Sequence, residues 1–502
     1  MRIRTLRVSL AVGVVAAIAM PAWAAASPYT ANPPVNASSP SPFAPCADGN
    51  DPGSPPGTNF PNSEVEPFVS VNPTNPSNII GVYQQDRWSN GGAHGLVAAV
   101  SHDGGQTWPV HSWAHFSKCS GGTAANGGDI DRASDPWVTF SPNGHAYFMS
   151  LSASADLTTS AMLVAKSTDG GDTWGEPTTL IRETSDFHFN DKNSMTADPT
   201  DSRYVYAVWD RSRIPSENAD FNALHSFAFR GDIYFARTTD GGQTWEPARA
   251  IFAPKANLFA IGNQIAVQPD GTLVDIFALS KGSGVQPSLN PFNEAVIVSD
   301  DKGEHWSRPI NISTDQSVDV RDPDTGQDVR AGEGLPDIAV DPNSGTLYAV
   351  WDDGRFNGGA YDDIAFSQST DDGQTWSAPI RVNQTPSTVP VGDRQAFTPS
   401  VHVASDGTVG VSYYDFRNNT PAPGLATDAW LVHCHSNCTN PTGWSETHLA
   451  GSFNLEQAPV ARGFFVGDYE GLASIGNSFS AFFAQAGPTT GQSDVYSVRV
   501  HP

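Results

Sequence analysis

The stretch that decides the fold reads SHDGGQTW and runs from Ser101 to Trp108. Four further copies follow at STDGGDTW (167–174), TTDGGQTW (238–245), SDDKGEHW (299–306) and STDDGQTW (369–376). Their first residues are 66, 71, 61 and 70 positions apart, which is roughly the length of one four-stranded antiparallel sheet with its turns. Evenly spaced copies of one turn are typical of sheets repeated around an axis, so the sequence predicts an all-β propeller.

Between these boxes, short apolar runs alternate with turns rich in Pro, Asn and Gly, the pattern of antiparallel hairpins. The hairpins pair 67–72 with 79–83, 136–141 with 146–150, 194–198 with 204–209, 264–268 with 273–278, 336–341 with 347–351, 399–404 with 409–414, and 472–475 with 479–484. A third strand leads into each box, and a fourth follows its Trp. Seven four-stranded blades are favoured, and six are the alternative.

The last repeat ends after its third strand, at 494–500. A sheet left open there would expose unpaired backbone groups. We therefore predict that a strand from the N-terminal side of the chain closes the ring together with the C-terminal strands.

The N-terminal part of the chain predicts export. Arg2, Arg4 and Arg7 precede an apolar run at 8–20 and the small residues AWAAA, so 1–26 reads as a secretory signal peptide. Residues 27–62 form a Pro- and Ser-rich arm, and the propeller is predicted over 63–502. No other apolar run approaches the ~18 residues of a membrane span. We expect a secreted or periplasmic monomer without a membrane span.

Charge and cysteine content narrow the possibilities further. The formal net charge of −26 argues against nucleic acid as a partner. Four cysteines in an exported chain suggest two disulfides. Cys434 is close enough to Cys438 to pair, which leaves Cys46 for Cys119, although other pairings remain open. A metal cluster of Cys434 and Cys438 with their histidine neighbours His433 and His435 is a further alternative.

The boxes themselves have a structural explanation. The Asp of each box can accept hydrogen bonds from backbone N–H groups of its own tight turn, and the following Gly tolerates a left-handed backbone. The Trp is large enough to wedge between a sheet and the next one. These aspartates are therefore assigned to the scaffold and not to chemistry.

The box pattern S-x-D-x-G-x-T-W at 101–108, 167–174 and 369–376 resembles the Asp-box of the bacterial neuraminidase repeat, the hallmark of the sialidase superfamily. The resemblance extends over 64–500. It implies that the boxes lie on the face away from substrate, and that the loops joining second to third strands and those leading into first strands form the functional face. The family's first strand carries an Arg-containing motif where this sequence reads EPFV at 66–69.

Charged residues recur in those loops. Catalytic candidates are Asp135, Asp468, Tyr469 and Glu470, because glycoside cleavage uses paired carboxylates and the resemblance implies a Tyr–carboxylate pair. Of the neighbours Tyr469 and Glu470, alternation along a strand lets only one face the mouth. Substrate-binding candidates are Arg87, Trp88, Arg132, Arg211, Arg355, Arg394, Arg417 and Arg462. Arginine grips carboxylates bidentately, and Trp88 can stack on a sugar or pack against a neighbouring blade. Four of the arginines closely follow an Asp, which equally fits structural ion pairs.

Three functions are compatible with this pattern. The leading one is an exo-acting glycoside hydrolase for acidic or otherwise substituted glycans. The alternatives are a non-catalytic propeller that binds glycan or protein, and a polysaccharide lyase with His188 or Tyr469 as base. No cofactor is expected, except that Asp322, Asp324 and Asp328 have the spacing of a calcium loop or of an ordinary acidic loop.

Overall fold

The computed structural model describes residues 28–49, 57–185, 187–213, 230–255, 258–281, 292–332 and 334–502. The predicted signal peptide lies outside the described residues. In the described ranges the regular structure is β-strand with five short 3-10 turns, at Lys118–Ser120, Gly354–Phe356, Val391–Arg394, Pro441–Gly443 and Leu455–Gln457. None of the helices in these ranges is long and apolar enough to cross a membrane.

The strands are numbered in chain order and form consecutive antiparallel units. Two short strands, β1 (Thr30–Ala31) and β2 (Val35–Asn36), come first. Unit one contains β3 (Glu64–Val71), β4 (Ile79–Arg87), β5 (Ala93–Ser101) and β6 (Val110–Ser112). Unit two contains β7 (Arg132–Phe140), β8 (Ala146–Ala153), β9 (Ser160–Ser167) and β10 (Thr178–Glu183). Unit three contains β11 (His188–Ala197), β12 (Val205–Arg213), β13 (Arg230–Thr238) and β14 (Arg249–Phe252). Unit four contains β15 (Leu258–Val267), β16 (Leu273–Lys281), β17 (Phe292–Ser299) and β18 (Ile310–Asp315).

After β19 (Val329–Arg330), unit five contains β20 (Asp337–Val340), β21 (Leu347–Asp353), β22 (Asp363–Ser369) and β23 (Ile380–Arg381). Unit six contains β24 (Ala396–Val403), β25 (Val409–Asp415), β26 (Ala426–Cys434) and β27 (Ser445–Asn454). After β28 (Phe464–Phe465), unit seven contains β29 (Gly471–Ile475), β30 (Ser478–Ala486) and β31 (Ser493–His501). Strands β1 and β2 both pair antiparallel with β31, so the N-terminal arm supplies the outer strands of this unit.

The units are arranged around their first strands. Each first strand contacts the first strand of the following unit, and β29 of unit seven contacts β3 of unit one. Apolar side chains of adjacent units interlock between the sheets, as Ile80 and Leu96 of unit one do with Val138 and Phe148 of unit two. The chain is therefore all-β and propeller-like.

The boxes are held as their sequence predicts. The carboxylate of Asp103 accepts hydrogen bonds from the backbone N–H groups of Gln106 at 3.0 Å and Thr107 at 2.9 Å, and from the Thr107 hydroxyl at 2.7 Å. In the third box, hydrogen bonds from the side chain and backbone of Thr244 lower the pKa of Asp240 to about 2. The carboxylates of these boxes accept hydrogen bonds from their own turns, as their predicted structural role requires.

The box tryptophans join units, but not in the direction we expected. Trp108 of unit one lies 5.2 Å, between ring centroids, from Phe482 of unit seven, and Trp306 of unit four lies 5.7 Å from Phe235 of unit three. The contact is thus with the preceding unit and not the next one. The reason is that the box turn already abuts the preceding sheet, where the Cβ position of Gly104 is 3.3 Å from the Arg499 guanidinium.

The first strands share a bulge near their beginning. Pairing with the second strand shifts register at this point in five units, and the first bulge residue has a positive φ in each: Glu66 (52°), Asp135 (49°), Lys192 (42°), Gly262 (76°) and Thr398 (52°). We predicted that the first strands of units one, two and six begin at the prolines that follow. They begin earlier, because the prolines occupy bulges, where no ladder N–H is required.

Both predicted disulfides are confirmed. Cys46 is bonded to Cys119, and Cys434 to Cys438. The second bond replaces the metal cluster considered for the same cysteines. The first ties the N-terminal arm to the segment that follows β6.

The two disulfides should differ in their contribution to stability. Replacing Cys46 and Cys119 by Ser is expected to lower the free energy of unfolding by about 2 kcal/mol more than replacing Cys434 and Cys438, because a longer loop is released. The sequence separations are 73 and 4 residues. Urea unfolding of the two double variants measures the difference. Equal losses would contradict an entropic role of the first bond.

Candidate active site

The bulges of several first strands line one cavity. Its walls include Lys192 of unit three, Gly262 of unit four, Thr398 of unit six, and Asp468 and Tyr469 immediately before unit seven. A left-handed backbone at a residue other than glycine costs roughly 1–3 kcal/mol, and such strain persists mainly at functional sites. The cavity is narrow, with room of about 30 Å³, which is enough for about one water molecule.

Beside this cavity, Lys192 contacts three carboxylates, one each from unit one, unit two and the segment before unit seven. Its Nζ lies 2.5 Å from Asp468 Oδ2, 3.3 Å from Glu66 Oε1 and 3.6 Å from Asp135 Oδ1. The three acids are 5% exposed or less. We call Lys192, Glu66, Asp135 and Asp468 the axial cluster. Two of its members, Asp135 and Asp468, are sequence-predicted catalytic residues that the structure brings together.

Arg330 anchors the cluster from a separate strand. Its guanidinium donates to both oxygens of Asp468, with an Nε to Oδ1 distance of 2.8 Å. The parallel pairing of β19 with β28 sets Arg330 opposite Phe465, and the guanidinium lies 4.3 Å from the centre of that ring. Asp468 is therefore held by two cations and is an orienting group more than a reacting one.

Arg87 joins the cluster through a glutamine. Its NH1 donates to Gln84 Oε1 at 2.6 Å, and the Gln84 amide donates to Glu66 Oε2. The Arg87 guanidinium also lies 5.0 Å from the centre of the Phe465 ring. Arg87, a predicted substrate-binding arginine, thus belongs to this network of hydrogen bonds.

The surroundings of the three acids shift their pKa values in different directions. Burial raises the pKa of Glu66 to about 7, although Lys192 opposes the shift. Burial also raises the pKa of Asp135, against the pull of Lys192. For Asp468 burial acts in the same direction, but Arg330 and Lys192 outweigh it and hold the pKa well below its usual range. Near neutral pH the cluster thus contains a permanent carboxylate, Asp468, beside an acid that can give up its proton, Glu66.

One carboxylate oxygen of the cluster is uncommitted. Asp135 Oδ2 is buried and has no hydrogen-bond partner among the residues that the structure describes. The other oxygen of Asp135 is directed toward Lys192. An oxygen of this kind has unused hydrogen-bonding capacity.

Tyr469 and Glu470 both contribute to the cavity walls, although their polar atoms have different partners. The Tyr469 hydroxyl donates to the carbonyl of Pro136 at 3.3 Å. Glu470 points between units six and seven, where its Oε1 is 2.7 Å from the Tyr414 hydroxyl and its Oε2 accepts from Ala484 N at 3.2 Å.

Glu470 is placed to act as a buried acid of the scaffold. Burial raises its pKa well above the usual range. The Tyr414 hydroxyl has one proton but also lies 2.6 Å from the Ala484 carbonyl, which can only accept. A protonated Glu470 that donates to Tyr414 satisfies both contacts.

Arg132 and Trp88 hold the N-terminal arm. The guanidinium of Arg132 donates to the Gly49 carbonyl at 2.6 and 2.9 Å and to Asn90 Oδ1 at 2.8 Å. It lies 4.6 Å from the centre of the Trp88 ring, which is 5% exposed. Trp88 therefore packs inside the protein and presents no face to a sugar.

The other predicted arginines lie outside the axial cluster. Arg462 is exposed. Four others bind protein groups: Arg211 binds Glu183, Arg355 binds Asp353, Arg417 binds Asp415 and Glu446, and Arg394 donates to the carbonyls of Val389 and Ser387. The structural ion pair that the sequence suggested is present for Arg355 and Arg417, each bound to the Asp two residues before it.

The residues considered for calcium engage separate partners. Asp322 accepts from the backbone and hydroxyl of Thr325, Asp324 accepts from Asn419, and Asp328 lies 3.4 Å from Arg321. Within the described ranges, no group of three His, Cys, Asp or Glu side chains is placed to hold a metal ion.

Comparison with known proteins finds similarity to solved structures. No protein-family model matches the sequence, and no curated protein matches it. The chain is similar to the Hadza microbial sialidase Hz136 at 13% identity, covering 84% of this chain and 74% of that one, with a TM-score of 0.46. It is also similar to an α-L-arabinofuranosidase of Fusarium graminearum (11% identity, 88% and 96% covered, TM-score 0.43) and to the leech intramolecular trans-sialidase (10%, 88% and 92%, 0.45). They are sialidase-like β-propellers. At these identities the similarity concerns the path of the chain and assigns no residue a role.

The sequence places Glu66 and Lys192 in loops of the predicted functional face but does not single them out as site residues, and it gives no indication of Arg330. An acid directly before a proline in a first strand is the signal that identifies Glu66, since Asp135 has the same setting. Arg330 carries no such signal, because 138 positions separate it from Asp468.

Proposed function

We propose that this chain is an exported, closed seven-bladed β-propeller that hydrolyses the terminal glycosidic bond of acidic or otherwise substituted glycans. Contacts of successive first strands, including β29 with β3, support ring closure. The two disulfides suit an oxidising compartment. The observation that carries the enzymatic proposal is the meeting of Glu66 and Asp135 at one ammonium group, beside a cavity, with pKa values raised by burial.

The roles follow from the state of each group. Glu66, with a pKa of about 7, is the general acid that protonates the departing glycosidic oxygen. Asp135, through its free Oδ2, acts at the anomeric carbon directly or through the water that the cavity admits. Lys192 and the Arg330–Asp468 pair hold these two acids in position. The sugar itself binds on the open face above the narrow cavity.

Release of monosaccharide from a panel of sialosides and uronic-acid glycans tests the proposal. Glu66→Gln and Asp135→Asn are each expected to lower kcat/KM by at least about 100-fold, because each removes a proton-transfer or nucleophilic group. Activity should fall as pH rises through about 7, since Glu66 then loses its proton.

Glu176→Gln is the matched control. Its side chain is 64% exposed and is not among the residues that line the cavity, so activity should be unchanged. Thermal unfolding of each variant shows whether it remains folded. Absence of release from every substrate, or release that the two cluster variants leave intact, contradicts a hydrolase at this site.

A further inference from the structure

A row of two arginines and a histidine crosses unit three at one end of its sheet. His188 of β11 is paired with Arg213 of β12, and Arg213 is paired with Arg230 of β13. Cross-strand partners lie about 5 Å apart between Cα atoms and project to the same face of a sheet. These three side chains therefore stand next to one another. We call them the basic rim.

The neighbouring row of cross-strand partners contains carboxylates that partly compensate the positive charge of the arginines. Arg211 is paired in register with Asp232, two positions from Arg213 and Arg230 on the same face. Arg211 binds Glu183, and the Arg230 Nε lies 3.2 Å from Asp232 Oδ1. Three arginines thus face two carboxylates.

Arg213 is the uncompensated charge. It is exposed and forms no ion pair with any residue in the part of the chain that the structure describes. The protein as a whole has a formal net charge of −26, so a local cationic excess runs against its average surface. The guanidinium of an arginine without a protein carboxylate can bind an anion with planar oxygens, above all a carboxylate.

Electrostatics show that the arginines act on common neighbours. The pKa of Asp232 is raised by burial, while Arg230, Arg211 and Arg213 all lower it. The pKa of His188 is lowered by burial, and the same three arginines lower it further. Near neutral pH His188 is therefore an uncharged hydrogen-bonding group beside the arginines.

One residue of the basic rim lies on the same strand as one member of the axial cluster. His188 and Lys192 belong to the same strand, β11, and are four positions apart, which corresponds to roughly 13 Å along a strand. A glycan whose end unit is at Glu66 and Asp135 can therefore reach the rim with a later unit. The distance is too long for a substituent of the end unit itself.

We propose that Arg213 and Arg230 form a subsite for a carboxylated sugar that follows the unit being cleaved, so that the preferred substrate is a glycan with acidic residues in its interior. The inference rests on the proposed function for the position of the cleaved unit. The binding of the acidic unit does not depend on catalysis.

Binding in an inactive background tests the subsite. The Asp135→Asn variant is titrated calorimetrically with polygalacturonate, with its methyl ester, and with α2,8-linked oligosialate. The ester retains the sugar backbone but carries no charge. We expect binding to an acidic polymer, no binding to the ester, and weakening as salt rises. Added Arg213→Gln and Arg230→Gln substitutions should reduce affinity at least about tenfold.

Arg203→Gln is the control. Arg203 belongs to the same unit and its side chain is 68% exposed, but it lies between β11 and β12 at the opposite end of the sheet. Equal binding of the ester, loss of affinity in the Arg203 variant equal to that of the rim variant, or no binding of either acidic polymer overturns the subsite. Acidic polymer bound at the rim but never cleaved by the unsubstituted protein supports the subsite and contradicts the hydrolase. Cleavage of neutral glycans without binding of the acidic polymers supports the hydrolase and contradicts the subsite.

Discussion

Replacing Lys192 by Met is expected to lower the free energy of unfolding by about 3–5 kcal/mol and to abolish activity. Its ammonium contacts Glu66, Asp135 and Asp468, and its side chain is only 11% exposed. Methionine fills a similar volume but leaves three buried acids without their common cation. Removal of one member of a buried ion pair is costly mainly because the other charge loses its compensation.

The loss should depend on pH in a defined direction. In the Lys192→Met protein the pKa values of Glu66 and Asp135 in the folded state, already raised by burial, rise further above those of the unfolded chain. Stability is then regained as pH falls, because the folded state binds protons that the unfolded state does not. Chemical denaturation at pH 8 and pH 5 should show a larger difference from the unsubstituted protein at pH 8.

Lys118→Met is the control for this prediction. Lys118 also contacts an aspartate, Asp131 at 2.5 Å, but its side chain is 43% exposed. An exposed pair contributes at most about 1 kcal/mol, so this variant should remain close to the unsubstituted protein at both pH values. If both lysine variants lose equally little stability, the axial cluster is not held by Lys192.

Trp108→Ala is expected to cost about 3–5 kcal/mol of unfolding free energy, because a fully packed indole is removed. Trp108 is 5% exposed and packs against Phe482, so this cavity would open between unit one and unit seven. Limited proteolysis should therefore begin in the strands of these two units.

Trp113→Ala tests whether the effect belongs to the junction. Trp113 lies close in the chain but is 38% exposed and makes an edge contact with Phe43 at 5.7 Å. Its loss should cost about 1 kcal/mol or less. A Trp108 variant that unfolds like the Trp113 variant would show that the contact between the first and last units contributes little.

The boxes made the scaffold predictable because each is a local device. The Asp103 carboxylate, its turn and its Trp lie within eight residues, so sequence alone contains the whole interaction. The pairing of β1 with β31 was predictable for another reason: the last sheet lacked an outer strand. The direction of the Trp108 contact was not predictable, since it depends on the relative orientation of adjacent sheets.

The site was predictable only in part. Position in the loops leading into first strands identified Asp135 and Asp468 correctly as neighbours. It could not show that Arg132 and Arg417 bind protein groups and not substrate. Arg132 binds the Gly49 carbonyl and Arg417 binds Glu446, and both partners are distant in sequence. Lys192 looked like one more charged loop residue. Only folding shows that it is surrounded by acids from two other units and from the segment before unit seven.

The repeated bulge of the first strands has a consequence for how such a molecule can diversify. Glu66, Asp135, Lys192, Gly262 and Thr398 hold equivalent places in their units, yet they comprise two acids, a base, a glycine and a hydroxyl. Each of these five units thus contributes one bulge residue of variable chemistry, while its sheet is specified elsewhere. Coordinated substitutions at these places can therefore change the chemistry of the site without changing the residues that specify the sheets.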